Sequence, residues 1–451
     1  MIDNAYVEAA TCNFVQRISA FRTRQAQNSH GVFHVRVGLR FLVIKPTRTI
    51  PPHIGMSTRI TETQRALSEI RIAIVHEWLV VPGGSELVLK EIIALFPHAD
   101  VFCLVDKLSD ADREQLGVGH PRTSFLQRIP KVETIYRATL PLMPWAIESM
   151  DFSAYDLVIS NSHAVAKGAN VRPGALHICH CCSPMRYAWD LREQYLSDAG
   201  LHSGVKGWLA NRLLDYLKAW DARTASRVTE FVAISHFIAE RVQRSYGRGS
   251  TIIYPPVDTK FFSADHKPRG TAYVTASRLV SYKRVATIVE AFRELPEREL
   301  VVIGDGPERD RVAAAAGPNV TLMGWQTREV IREQLRRARA FVFAAEEDFG
   351  ILPVEAQACG TPVIALGRGG ALETVVATGP ERTGVFFPEP TPEGIAAAVR
   401  AFELQPTPTA EACRQNALRF GEQQFRDGFR QVVERAWAKH DAARLSNAVR
   451  N

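Results

Sequence analysis

The densest chemistry in the chain lies in Glu346–Gly360, EEDFGILPVEAQACG, where seven residues separate Glu347 from Glu355. The first carboxylate follows an apolar strand-like run, and the second falls in the first turn of a short helix opened by Pro353 and stopped by Gly360. Two acids so placed can line one crevice and accept paired hydrogen bonds from vicinal hydroxyls of a sugar or ribose. Between them, the backbone amides of Phe349, Gly350 and Ile351 approach a helix N-terminus, where hydroxyls or an anion can be held. Taken alone, Glu355 equally fits an acid that merely complements a helix dipole.

A second group, Ser277–Arg284 (SRLVSYKR), places Arg278 and Lys283 on either side of a strand-to-helix turn. Two cations beside a helix start suit a diphosphate and the charge that develops on a leaving nucleotide, although a solvated basic loop reads the same way. Gly304-Asp305-Gly306 closes a later strand but lacks the third glycine of a dinucleotide fingerprint, so nicotinamide chemistry is not indicated. The run His177-Ile178-Cys179-His180-Cys181-Cys182 offers metal-ligand residue types. Strand alternation divides them between two faces, so four convergent ligands are hard to assemble and small buried thiols are expected instead of a metal.

The elements that must position these groups alternate between strand and helix. Arg71–His76, Ala99–Val105, Tyr155–Ser160, Ala175–Cys179 and Phe231–Ser235 are short apolar strands of a first unit. A glycine turn, Pro82-Gly83-Gly84, precedes its first helix. Ala272–Ala276, Leu300–Ile303, Ala340–Ala344 and Pro362–Ala365 repeat the rhythm in a second unit. Strands separated by helical stretches imply parallel sheets with crossovers, hence an α/β fold of two doubly wound, Rossmann-like domains with a cleft between them. The division expected is a basic extension over 1–69, domains over 70–251 and 252–415, and a C-terminal helix over 416–451 that packs back toward the first domain. Tyr254-Pro255-Pro256-Val257-Asp258 is a stiff crossing between the domains.

The net charge of +7 invites a nucleic-acid reading. Residues 1–70, however, carry nine Lys and Arg against four acids, so five of those seven charges sit in the leader. That leader fits a transit peptide, a generic basic extension, or sequence upstream of a start at Met56; a poorly ordered extension is the expectation. No stretch approaches the roughly 20 apolar residues of a membrane span. Seven cysteines, an odd number, mostly in apolar runs, suit a reducing compartment with free buried thiols.

Together, Gly83-Gly84, Arg278 with Lys283, Gly304-Asp305-Gly306, Glu347-x7-Glu355 and Cys359-Gly360-Thr361-Pro362-Val363 resemble a family 4 glycosyltransferase of the GT-B fold. The strings HEWLVVPGGSELVL, YDLVISNSHAVAKG, SPMRYAWD, IIYPPVD and GRGGALETV resemble the branch of bacterial mannosyltransferases used in O-antigen and exopolysaccharide assembly. The resemblance covers roughly residues 70–440. It implies a retaining hexosyl transfer from a nucleotide sugar, GDP-mannose before a UDP-sugar, to a saccharide acceptor, with neither cofactor nor bound metal. It implies that Arg278 and Lys283 bind the donor diphosphate, Glu355 the ribose, and Glu347 with the amides of Phe349–Ile351 the donor sugar. Gly83, Gly84, Gly304 and Gly306 would let backbone close on the donor, and His163 would stand near the reacting centre, unless it is a packing histidine. Arg186 would serve acceptor or donor phosphate, with a structural ion pair to Asp190 as the alternative. Where His180 and Cys182 stand, the branch leads one to expect an aromatic and a histidine.

The same resemblance implies a lipid-linked (polyprenyl) acceptor and work in the cytoplasm at the inner face of the plasma membrane. Val205–Arg223 places Trp208, Leu209, Leu213, Leu217 and Trp220 at helical spacing beside Lys206, Arg212 and Lys218. That pattern fits an interfacial helix or one packed on a sheet. Other readings fit less well: a nucleotide-sugar epimerase carries a different motif set, a non-catalytic binding protein would not need the intact charged residues, and nucleic-acid binding has only the net charge behind it.

Overall fold

The computed structural model describes residues 67–450 except 202 and 266. Residues 1–66, nearly the whole basic extension, lie outside the described residues. Two parallel sheets organise the rest. The first contains β1 (Ile72–His76), β2 (Asp100–Cys103), β3 (Arg122–Thr123), β4 (Leu157–Ser162), β5 (Leu176–Cys181), β6 (Glu230–Ala233) and β7 (Thr251–Ile252), in the order β3-β2-β1-β4-β5-β6-β7. The second contains β8 (Tyr273–Ala276), β9 (Leu300–Ile303), β10 (Val320–Gly324), β11 (Phe341–Phe343), β12 (Val363–Leu366) and β13 (Gly384–Phe387), in the order β10-β9-β8-β11-β12-β13. Parallel neighbours require crossovers, and burial on both faces explains why these strands read as continuous apolar runs. β4 and β5 reach two residues past their apolar runs, carrying Asn161, Ser162, His180 and Cys181 into the sheet, where Asn161, Ser162 and His180 Nδ1 find hydrogen-bond partners inside the domain.

In each sheet the strand order reverses beside its first strand, between β1 and β4 and between β8 and β11. Loops leaving such a pair diverge and leave a crevice. The two crevices face each other. The chain crosses between the domains at Tyr254–Asp258 and returns at Phe420–Gly421, where the Val257 N–H donates to Phe420 O at 2.9 Å.

Helix α1 (Gly84–Leu95) buries Val88, Leu89 and Ile92 against the first sheet. Phe425, Phe429, Val432, Val433 and Trp437 of the last helix (Glu422–Arg450) join that same core, so the last helix lies on the first domain. Helix α2 (Gly204–Thr224) packs through Ala210, Leu214, Leu217 and Trp220 and exposes Val205, Trp208 and Tyr216. The single apolar side drawn from Trp208 to Trp220 is thereby split. Twelve residues at about 100° each leave the two indoles about 120° apart around the helix.

Candidate functional site

At the second-domain crevice, β8 runs into Ser277–Val280, a tight turn over Ser281–Lys283, and helix α4 (Val285–Arg293), which starts after Arg284 at φ 55°. Gly304 and Gly306 seat this loop. A β-carbon at Gly304 would lie 1.8 Å from Ser277 O, and one at Gly306 would lie 2.4 Å from Leu279 O. These two glycines thus hold the segment bearing Arg278 in place. Arg278 itself is exposed, and its guanidinium makes no hydrogen bond or ion pair among the described residues.

β11 delivers the other half. Glu347 pairs with Lys283 across the two loops. Burial, with the Arg186 charge nearby, pulls the Lys283 ammonium down to about 8, opposed by the Asp348 carboxylate. Gly350, at φ 86°, caps helix α5 (Ile351–Ala358). The helix therefore begins two residues before Pro353, and Glu355 belongs to its second turn, not its first. Proline is tolerated there because a residue in the first turn has no intrahelical acceptor for an N–H. The amides of Phe349, Gly350 and Ile351 find no acceptor among the described residues and remain open to a ligand. The Phe349 ring serves packing, with centroids 5.8 Å from Tyr254 and 5.4 Å from Phe420 at the interdomain crossing. Glu355 is buried, and desolvation raises its carboxyl to about 7, opposed by Arg328.

The first-domain crevice holds Gly83, Gly84 and His163. A β-carbon on Gly84 would come within 2.9 Å of Ile351 Cδ1, so the two domains meet at this glycine. His163 opens the loop after β4, with its ring edge-on to Trp78 at 4.9 Å, and its Nδ1 is buried without a partner. Burial lowers its pKa, which favours the neutral ring. The loop is held by Glu77, whose buried carboxylate accepts from the N–H groups of His163, Ala164, Val165 and Ala166 at 2.7–3.0 Å and from Ser162 Oγ at 3.1 Å. Beneath it, His76 Nε2 donates to Glu86 at 3.2 Å, Asn161 Nδ2 donates to His76 Nδ1 at 3.2 Å, and His180 Nδ1 donates to Asn161 Oδ1 at 2.9 Å. This chain of bonds assigns each ring tautomer.

His180, pushed down to about 3 by burial, is thus a neutral link in that chain, and His177, held near 4, bonds Ser160 at 2.9 Å on the other face of β5. No group of three or more His, Cys, Asp or Glu among the described residues is placed to hold a metal. Of the thiols, Cys103, Cys179, Cys181, Cys182, Cys359 and Cys413 are free.

Arg186 does not pair with Asp190. Its Nε donates to Asp348 of the second domain at 2.9 Å, and Asp190 pairs with Arg241 instead. Asp190 and Arg186 are joined only through the Arg241–Asp348 pair, so proximity along the chain was misleading. Four contributors lay beyond sequence reasoning: Glu77, Asp348, Arg241, and the Gly369-Gly370 pair, which lets a loop press on the backbone of Glu347 and Phe349. Glu77, Asp348 and the glycine pair lie inside the quoted strings HEWLVVPGGSELVL, EEDFGILPVEAQACG and GRGGALETV, but nothing in those strings named their partners, and Arg241 had no signal.

Comparisons with known proteins follow this geometry. The family model described as Glycosyltransferase Family 4 matches residues 82–261, and the one described as Glycosyl transferases group 1 matches 257–420. A GDP-mannose-dependent monoacylated alpha-(1-6)-phosphatidylinositol monomannoside mannosyltransferase of Corynebacterium glutamicum is 30% identical over 212 residues, 40% of this chain and 55% of that protein. A D-inositol 3-phosphate glycosyltransferase of Mycobacteroides abscessus is 30% identical over 169 residues, 33% of this chain and 38% of that protein. The chain thus spans about half the length, or less, of these curated relatives. Anabaena Alr3699/HepE, solved in complex with UDP, superposes with a TM-score of 0.60 at 17% identity, over 81% of this chain and 99% of that one. Sucrose-phosphate synthase from Thermosynechococcus elongatus does so with 0.60 at 18% identity, over 82% and 100%. These likenesses establish the GT-B fold, and the two glycosyltransferase family models, one after the other, together match residues 82–420.

Proposed function

We propose that this chain is a retaining glycosyltransferase that moves a hexose, mannose from GDP-mannose, onto a saccharide acceptor in cell-surface polysaccharide synthesis. One observation carries the reading: Arg278, the Lys283–Glu347 pair, the open amides of Phe349–Ile351 and buried Glu355 all converge at the carboxyl ends of β8 and β11. In this scheme Arg278 and Lys283 neutralise the leaving diphosphate, Glu355 takes the ribose diol, and Glu347 with the amides orients the sugar. The acceptor hydroxyl attacks from the face the nucleotide leaves, and a diphosphate oxygen takes its proton. The protein's contribution is positioning and charge stabilisation, with no metal and no covalent intermediate. His163 lines the acceptor side, Gly83 and Gly84 let first-domain backbone close on the donor phosphates and the acceptor, and Gly304 and Gly306 keep Arg278 in register.

The mannose choice rests on the relative described as GDP-mannose-dependent. A donor screen by thermal shift and by donor hydrolysis, using GDP-mannose, UDP-glucose, UDP-GlcNAc and GDP-fucose, tests it. Response to UDP donors alone overturns the GDP-mannose assignment, and response to none overturns the function. Activity that survives EDTA is expected of metal-independent transfer. We further propose a polyprenyl-linked acceptor met in the cytoplasm, at the inner face of the plasma membrane. No helix among the described residues is long and apolar enough to cross a membrane. Exposed Val205, Trp208 and Tyr216 with Arg212 on α2 form the stripe that would touch a surface. Unchanged vesicle binding in Trp208→Ser would remove that contact.

A further inference from the structure

Asp348 sits between Glu347 and Phe349, yet its side chain turns away from the donor groups and into the other domain. Its carboxylate is buried. Oδ1 accepts from Arg241 Nη1 at 2.8 Å, and Oδ2 accepts from Arg186 Nε at 2.9 Å and from the same guanidinium's Nη2. Both arginines belong to the first domain, Arg186 to the loop after β5 and Arg241 to helix α3 (His236–Tyr246). The Asp348 carbonyl accepts from Ser235 Oγ at 2.6 Å. Beside it, the second-domain Glu373 carboxylate caps α3, accepting from the His236 N–H at 2.8 Å and the Phe237 N–H at 3.0 Å. The Gly84–Ile351 approach lies on the same loop. These crossings place two first-domain cations on one residue of the loop that carries Glu347 and the open amides. Arg186 also keeps a partly exposed edge and lies close enough to Lys283 for its charge to be felt there.

We propose that Asp348 is a positioning residue, a charge clamp that couples closure of the two domains to the loop that would hold the donor sugar. With the clamp formed, Arg186 stands as a cation of the opposite domain beside the Lys283–Glu347 pair. Without it, Arg241 keeps only Asp190 of its own domain and Arg186 loses its carboxylate, so the ion pairs that join the two domains are gone and opening is favoured. The functional half of this inference rests on the glycosyltransferase reading; the clamp itself does not.

The test uses the full chain with Asp348→Asn, which keeps shape and removes charge, together with Arg186→Gln and the conservative Asp348→Glu. Hydrogen exchange of the peptide covering 235–240 and small-angle scattering, both without ligand, report closure. We expect exchange at His236 and Phe237 to rise about tenfold or more in the first two variants, with β8 and β9 unmoved and the radius of gyration larger. Asp348→Glu should restore most of the protection. With GDP-mannose and UDP-glucose as probes, kcat should fall about tenfold or more while donor KM stays within about threefold. Unchanged exchange and radius in both Asp348→Asn and Arg186→Gln overturn the clamp, as does equal loss of protection in β8 and β9. Should Asp348→Asn not fold, Arg186→Gln decides alone. If the wild type processes neither probe while the exchange result holds, the clamp stands and the donor reading falls.

Discussion

Replacing Glu355 by glutamine should stabilise the protein above neutral pH and loosen its hold on a nucleotide. The Glu355 carboxyl is buried and has no hydrogen-bond partner among the described residues, and desolvation raises it from 4.5 to about 7. A group whose folded-state pKa lies above its unfolded value leaves stability intact below the unfolded value and removes it as pH climbs to the folded one. The penalty is about 1 kcal/mol near pH 5 and about 3 kcal/mol near pH 8. Glutamine keeps the shape and never ionises, so the variant should gain on wild type as pH rises, by several degrees in Tm near pH 8. If the carboxylate receives the ribose diol, the same change removes charge-assisted hydrogen bonds worth about 2 kcal/mol, roughly thirtyfold in affinity. Below pH 7 wild-type affinity for GDP should fall more steeply than the variant's as the acid protonates, the extra loss levelling off at about thirtyfold, while both follow the terminal phosphate's own ionisation near pH 6. Thermal unfolding and calorimetric GDP titration at about pH 5.5 and pH 8 measure both effects. A variant no more stable than wild type near pH 8 would refute the picture of a desolvated, unpartnered acid. Affinity unmoved by the substitution at either pH would refute the ribose role.

If Glu347 orients the donor sugar as proposed, Glu347→Ala should abolish transfer while nucleotide binding survives; wild-type turnover would sink the assignment. Arg278→Ala should weaken nucleotide binding by about 1–2 kcal/mol with almost no change in Tm, since its guanidinium is exposed and unpaired, and calorimetry against GDP reads it directly. Gly304→Ala should both destabilise the second domain and weaken nucleotide binding, because its β-carbon would sit 1.8 Å from Ser277 O, backbone that cannot swing aside. A Gly304→Ala protein with wild-type Tm and affinity would show that the Arg278 loop does not depend on this close approach.

The parallel sheets could be read from the chain because apolar runs of about five residues separated by helical stretches admit few other arrangements. The loop carrying Glu347 and Glu355 could be read because its spacing is local. Partners distant in sequence could not. Arg186 looked toward Asp190, four positions on, whereas its actual partner, Asp348, lies 162 residues away. Glu77 and the amide of His163 are separated by 86 positions and meet only because β1 and β4 are neighbours at the strand-order reversal. Periodicity reports which side of an element is buried, not what it will touch. The start of α5 was misplaced for a similar reason: Pro353 signals a first turn, but Gly350, free to adopt φ 86°, set the cap earlier.

The two faces of the cleft differ in how their polar groups are satisfied, and that difference bears on where a donor would bind. On the first-domain side the amides after β4 form a nest suited to an anion, but Glu77 already fills it, and Glu86, His76, Asn161 and His180 bond one another beneath. An incoming diphosphate would meet a carboxylate there. On the second-domain side Arg278, the amides of Phe349–Ile351 and Glu355 have no protein partner among the described residues. Buried polar groups are normally paired, so three open amides and an unpartnered acid on neighbouring loops are a cost to the folded chain that a ligand would relieve, and exposed Arg278 stands free beside them. On the first-domain side His163 Nδ1 is buried without a partner, as is His180 Nε2 beneath it. Our proposal that the second domain takes the donor, with a first-domain histidine left to meet what approaches it, rests on which groups the fold satisfies and which it leaves open.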